Sequence, residues 1–264
     1  MSIFDVITSN EIATYWEMLT QDREPYTGEE LFPPQQKLGL DLKWIKGSKG
    51  LPVVLKASAF DTAAIPRPRL GFERLATEMP FFKESMYIDE ELRQELNKVI
   101  ESGNQAIIDT IVNRIFDDET RLLEGAAAQR ERMRMMMLTT GVISLSGNGQ
   151  VYDYDYGVPS SHKKTTTKSW SDPTATIIDD IRTLKETIVN DTGVEVTRAI
   201  CSSKVLGYMR KNTELKQTIM VLTDGQGFVS DARIKQFFLD EIGVDIVTND
   251  KRYIDEAGTQ QRYI

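Results

Sequence analysis

From Asp117 to Leu138 the chain has no proline, a single glycine at Gly125 and few β-branched residues. Such a run favours a helix of about 20 residues, roughly 30 Å long. The run is acidic at its start, Asp117-Asp118-Glu119, and carries Arg130, Arg132 and Arg134 toward its end, as the helix dipole prefers. Met133, Met135, Met136 and Met137 crowd its last turns as adaptable packing residues. An earlier helix is expected from Asp89, an N-cap followed by Glu90 and Glu91. Its stripe would be Leu92, Leu96, Val99, Ile100, Ile107, Ile111 and Ile115.

The flanking segments read differently. Residues 1–37 look like an arm, with Ile12, Tyr15, Trp16 and Leu19 on one helical face before Pro25, Gly28, Pro33 and Pro34. In residues 38–86, Leu38, Leu40, Leu42 and Trp44 alternate with polar or small residues as in a strand. A turn is expected at Gly47-Ser48-Lys49-Gly50, and a second strand starts at Pro52-Val53-Val54-Leu55. From Lys56 to Lys83 come Pro66, Pro68 and Pro80 with Arg67, Arg69 and Arg74. That stretch is too long for a casual loop and suggests an extended hairpin reaching out from the core.

Residues 141–264 read as mixed α/β. Strands are expected at Val142–Leu145, Val151–Tyr156, Val194–Ser202 and Val244–Val247, with a polar loop from Ser160 to Lys168. Helices are expected after Asp172-Pro173 to about Asn190, over Val205–Arg210 and over Ser230–Glu241. The first would bury Ile177, Ile178, Ile181, Leu184 and Ile188, with Asp179 and Asp180 in mid-helix on a solvated face.

Chemistry is sparse. One cysteine, Cys201, rules out an internal disulfide framework and a four-thiolate zinc site, and its usage fits a reducing compartment. His162 has no acidic or thiol neighbour close in sequence. Gly225-Gln226-Gly227 lacks the third glycine of a dinucleotide site. Lys163, Lys164 and Lys168 lack interleaved aromatics, a weak nucleic-acid signal. A net charge of −8 argues against sequence-specific DNA binding. No signal peptide and no apolar run of membrane-spanning length is seen. No catalytic residue, cofactor or metal site is expected.

The order of segments resembles the lambda-type tailed-phage major capsid protein family (major capsid protein E), with its Hong Kong 97-like capsid fold. Four features carry the resemblance: the arm leading to Tyr26 and Phe32-Pro33-Pro34; the Pro- and basic-rich excursion running into Asp89-Glu90-Glu91-Leu92; the long helix followed by Thr139-Thr140-Gly141-Val142-Ile143; and Lys168-Ser169-Trp170-Ser171-Asp172-Pro173 ahead of Ile178-Asp179-Asp180-Ile181 and Thr192-Gly193. The resemblance implies an α+β chain with an N-terminal arm (1–37), strands and an extended loop (38–86), a peripheral domain with a long spine helix (87–140) and an axial domain (141–264). The family pattern continues past Gln260-Gln261-Arg262-Tyr263-Ile264, so a longer native chain is expected.

The function so implied is self-assembly as hexamers and pentamers into an icosahedral head that encloses the DNA genome without sequence-specific binding. Implied partners are other copies of the chain, scaffolding protein, portal and a decoration protein, with no membrane. The place implied is the virion capsid, assembled in the host cytoplasm. The alternatives are an encapsulin-type nanocompartment shell protein and, from another class, a soluble α/β enzyme. Charge complementarity marks Lys56, Arg67, Arg69, Arg74, Asp117, Asp118 and Glu119 as expected inter-subunit residues.

Overall fold

The computed structural model describes residues 14, 15, 17, 18, 24–35, 41–47, 72–85, 94, 98, 105–147, 149–222 and 229–264. Of 41–47, 72–78, 105–115, 119 and 222 it describes the backbone. The chain divides into two compact units, Met1–Gln36 with Pro80–Leu138, and Lys37–Met79 with Thr139–Ile264.

In the first unit the short helix α1 (Thr27–Leu31) precedes one long helix, α2 (Gln105–Thr140), whose last two residues belong to the second unit. At 36 residues α2 spans roughly 54 Å. It passes through Asp117, Asp118 and Glu119 without a break, so the expected helix start at Asp117 is corrected. The acidic run resembles an N-terminal signal, yet no proline or glycine lies between Gln105 and Gly125 to end a preceding turn. Asp118 instead pairs with Arg121 one turn on, at 3.7 Å. Ala127, Glu131 and Met135 are buried at intervals of four residues and form one stripe. The N-cap expected at Asp89 lies outside the described residues.

In the second unit β1 (Asp41–Gly47) pairs antiparallel with β2 (Phe72–Glu78), with Asp41 opposite Glu78 and Gly47 opposite Phe72. β1 therefore runs through Gly47, where a turn is expected from sequence. β2 falls inside the segment that reads only as an excursion. The strand expected from Pro52 lies outside the described residues.

Helix α2 ends on Gly141, whose φ of +73° is the left-handed geometry glycine tolerates. A Cβ there would stand 2.7 Å from Val158 Cγ2. The chain then reverses through β3 (Val142–Gly147) and β4 (Gln150–Asp155), an antiparallel hairpin in which Gly147 stands opposite Gln150. Ile143 and Leu145 are buried between exposed Ser144 and Ser146. Across the ladder stand Tyr154 and Tyr152, their rings stacked at 6.4 Å.

The remainder wraps a two-stranded parallel sheet, β5 (Arg198–Cys201) and β6 (Asp245–Thr248), with four helices: α3 (Ile177–Thr192), α4 (Ser203–Lys211), α5 (Thr213–Leu222) and α6 (Asp231–Ile242). Ile177, Leu206, Leu215, Phe238 and Ile246 anchor one apolar cluster, with Trp170 and Cys201 packed against it. Ile181, Leu184 and Ile188 are half-buried, while Ile177 and Ile178 are fully inside. Asp179 and Asp180 stand in the first turn of α3 rather than in mid-helix, at the positive end of its dipole.

Helix α5 is not expected from sequence. Its cap is Asn212, wholly buried, whose Oδ1 accepts the Leu215 N–H at 2.9 Å while Nδ2 donates to the Ala175 carbonyl at 2.7 Å. A small unforeseen hairpin, β7 (Arg252–Ile254) with β8 (Gln260–Arg262), closes the unit.

Candidate functional site

The charged residues singled out in the sequence fall in different units. Lys56, Arg67 and Arg69 lie outside the described residues. Arg74 lies in β2, with Ile45 as its register partner. Asp117, Asp118 and Glu119 occupy the middle of α2. Exposed Asp117 accepts a hydrogen bond from the Tyr15 hydroxyl at 3.1 Å, and the Tyr15 ring tilts onto Phe116 at 5.2 Å. That hydrogen bond holds the Tyr15 phenol above its ordinary pKa, with smaller contributions from burial and from the Asp117 charge. The two aspartates expected to meet another subunit are thus engaged within their own: Asp117 by Tyr15 and Asp118 by Arg121.

A second contact of the arm on α2 has no forewarning in the sequence reading. Glu131 is completely buried, and its Oε1 accepts the Gly28 N–H at 2.9 Å. Arg134 Nη1 stands 3.5 Å from Oε2, and among the described residues Oε2 has no hydrogen-bond partner. Among Arg130, Arg132 and Arg134, Glu131 reads as one more solvated charge. The signal that could have found it is its place between Ala127 and Met135 at helical spacing.

In the second unit, the loop before α3 is tied to that helix by polar bonds. His162 Nε2 lies 3.0 Å from Asp191 Oδ2, 29 residues along the chain, and Ser161 Oγ donates to the same oxygen at 3.1 Å. The serine bonds the carboxylate rather than the imidazole, so this trio lacks the serine-to-histidine link of a nucleophile relay. Trp170 Nε1 donates to Asp180 at 2.9 Å; Lys164 pairs with Asp180 at 3.9 Å and Lys168 with Asp172 at 3.3 Å. The basic patch is therefore largely neutralised within the chain. Burial pushes the Cys201 thiol up to about 11, so it stays protonated near neutral pH and is a poor nucleophile.

A shallow groove of about 310 Å³ lies beside α3 and the end of α6. Its Lys185 is occupied, donating to the Ile242 carbonyl at 2.7 Å and pairing with Glu195 at 3.4 Å. Among the described residues no group of three His, Cys, Asp or Glu side chains is placed to hold a metal ion. No described helix is long and apolar enough to cross a membrane.

What remains conspicuous is exposed apolar surface. Phe81 and Phe82 are 68% and 53% exposed, and Val221 78%. Large apolar side chains left in water in adjacent positions mark surfaces that meet other macromolecules more often than sites of chemistry.

The family model described as phage major capsid protein E matches residues 8–264. A solved structure titled as a capsid protein of a prophage of E. coli CFT073 is similar over 70% of this chain and 52% of that one, with 16% identity and a TM-score of 0.42. This chain thus spans about half the length of that structure. No curated protein matches the chain.

Proposed function

The chain belongs to the phage major capsid protein E family, and on that premise we propose that it is a shell-building subunit that functions by binding copies of itself. The observation that carries this reading is the family match over nearly the whole sequence, residues 8–264. The finer reading is a Hong Kong 97-like subunit that forms hexamers and pentamers around the phage genome, with α2 as its spine helix and β1–β2 as the base of its extended loop. The later part of the second unit would be the axial domain. Scaffolding protein, portal and a decoration protein are the further partners this role implies, with assembly in the host cytoplasm.

The exposed Phe81-Phe82 pair supports association, because burying such side chains removes apolar area from water at about 25 cal/mol per Å². For the loop, the proposal is that Arg67 or Arg69 pairs with a carboxylate of an adjacent subunit. An exposed pair contributes only about 0–1 kcal/mol. Repeated at every contact, such pairs would set register more than strength. Asp117 and Asp118 already have partners in their own chain, so an incoming arginine would compete with Tyr15 and Arg121.

Negative-stain electron microscopy of the purified protein tests the reading: closed shells or ring-shaped capsomers are expected. A protein that stays monomeric at every concentration, with and without scaffolding protein, would overturn it. Reversing the charge of Arg67 and Arg69 together should slow assembly, more at low salt than at high salt; salt-independent, unchanged kinetics would remove the loop pairing alone.

A further inference from the structure

Helix α1 is five residues long, and the side chain of its N-cap residue Tyr26 does not cap it. A helix so short does not persist in water by itself, because nucleation is unfavourable and one turn adds too few bonds to offset it. Glu29 and Glu30 donate to the Tyr26 carbonyl, whereas the Gly28 N–H, ahead of them, needs an acceptor from elsewhere. Glu131 supplies that acceptor to Gly28 from 103 positions away. The fit is close: a Cβ at Gly28 would stand 2.6 Å from Glu131 Oε2 and 3.0 Å from both Cβ and Cδ of Arg134. Arg134 Cβ is fixed to the α2 backbone and cannot swing aside.

The same contact carries a cost. Glu131 is held out of water with Oε2 lacking any hydrogen bond among the described residues and with the Arg134 guanidinium 3.5 Å away. A buried carboxylate with an unmet acceptor is unfavourable, and release into water relieves it.

We propose that α1 is a strap with two states: folded while docked over Glu131, and unfolded when it lifts away. Glu131 is its positioning residue and Gly28 the notch that lets the two helices meet. The balance is poised because docking gives α1 its cap and buries an imperfectly satisfied charge in the same step. The device decides whether residues 24–35 are carried folded on α2 or free, before the subunit meets anything else, and it does not depend on the shell-building reading.

Hydrogen exchange of the full chain, followed by mass spectrometry over peptides from 24–35, 105–140 and 203–242, tests it. Alanine is a better helix former than glycine, so local propensity alone predicts slower exchange in α1 for Gly28→Ala. The strap predicts the opposite, exchange over 24–35 faster by about tenfold or more, with 203–242 unchanged. Glu131→Ala acts from the other side of the contact and favours the α2 helix itself; it should raise exchange over 24–35 while 105–140 keeps its protection. Slower or unchanged exchange over 24–35 in Gly28→Ala overturns the proposal. So does unchanged exchange over 24–35 in Glu131→Ala, and that second variant decides the matter if the first fails to fold.

Discussion

The two units are held by different physics. Among its described residues the second has a cluster of fourteen buried apolar residues gathered from α3, α4, α5, α6 and β6 with their flanking turns. Burial of this kind is non-directional and cooperative, and it tolerates exposed polar loops around it. In the first unit the described contacts of the arm on α2 include two directed polar bonds, Tyr15 on Asp117 and Gly28 on Glu131, beside the Tyr15 ring on Phe116. Directed contacts add little net stability each, and each is lost whole when one partner shifts. The apolar cluster of the second unit is thus expected to outlast these arm contacts when the protein is stressed.

That contrast can be broken most sharply at Phe238, which is wholly buried. Phe238→Ala should cost about 3–5 kcal/mol through lost burial and the cavity left behind. Urea denaturation followed by circular dichroism should show an early transition for this variant. If exchange protection over 24–35 falls as far as over 203–242, the units are not energetically distinct and the comparison fails.

A smaller effect is expected at Asn212, the buried side chain that links α5 to the turn before α3. Asn212→Ala leaves the Leu215 N–H and the Ala175 carbonyl without partners, at about 1–3 kcal/mol. A shift in the urea midpoint with an unchanged slope is the expected result; a changed slope would mean that the cap organises the unit more widely than one helix end.

Cys201 reports on the same core by chemistry. With its thiol pushed up to about 11 by burial, alkylation by iodoacetamide at pH 8 should run at least about tenfold slower in the folded protein than in urea. Equal rates would show that the edge of the second unit opens as readily as the arm.

The smallest effect belongs to Tyr15. Its pKa is raised above 10.0, chiefly by its hydrogen bond to Asp117. The neutral phenol is the form the fold favours, so the contribution is complete below pH 10 and is lost as pH rises through the raised value. Proteolytic release of the arm should therefore quicken in that alkaline window in the native sequence. Tyr15→Phe should release faster at neutral pH and lose that alkaline step. An alkaline step that survives in Tyr15→Phe would assign it to another group.

Much of the second unit is legible in the sequence. Strands β3 and β4 announce themselves one by one, through alternating Ile143, Ser144 and Leu145 and through Tyr152 and Tyr154 alternating with Asp153 and Asp155. Helix α3 announces itself by its apolar stripe and Gly193, which takes the left-handed φ of 69° at its end. Ser230 caps α6 by accepting the Arg233 N–H, as a serine before a helical stripe should. Helix α5 escapes notice because its apolar stripe is short and its signal is a single asparagine. The start of α2 is misplaced by sequence because acidic residues inside a helix look like those that begin one; only the absence of a breaker ahead of Asp117 separates the two cases.

The site residues divide along the same line. Periodicity, caps and turns are written in residues a few positions apart, where covalent geometry already brings the relevant groups together, and so the elements follow from the sequence alone. Glu131 with Gly28, His162 with Asp191 and Asn212 with Ala175 join residues 103, 29 and 37 positions apart. No local rule chooses among the many carboxylates, amides and backbone N–H groups such a chain offers. Packing makes the choice, because only the folded chain brings one acceptor within about 3 Å of one donor, and at Glu131 and Asn212 it also buries the pair away from water.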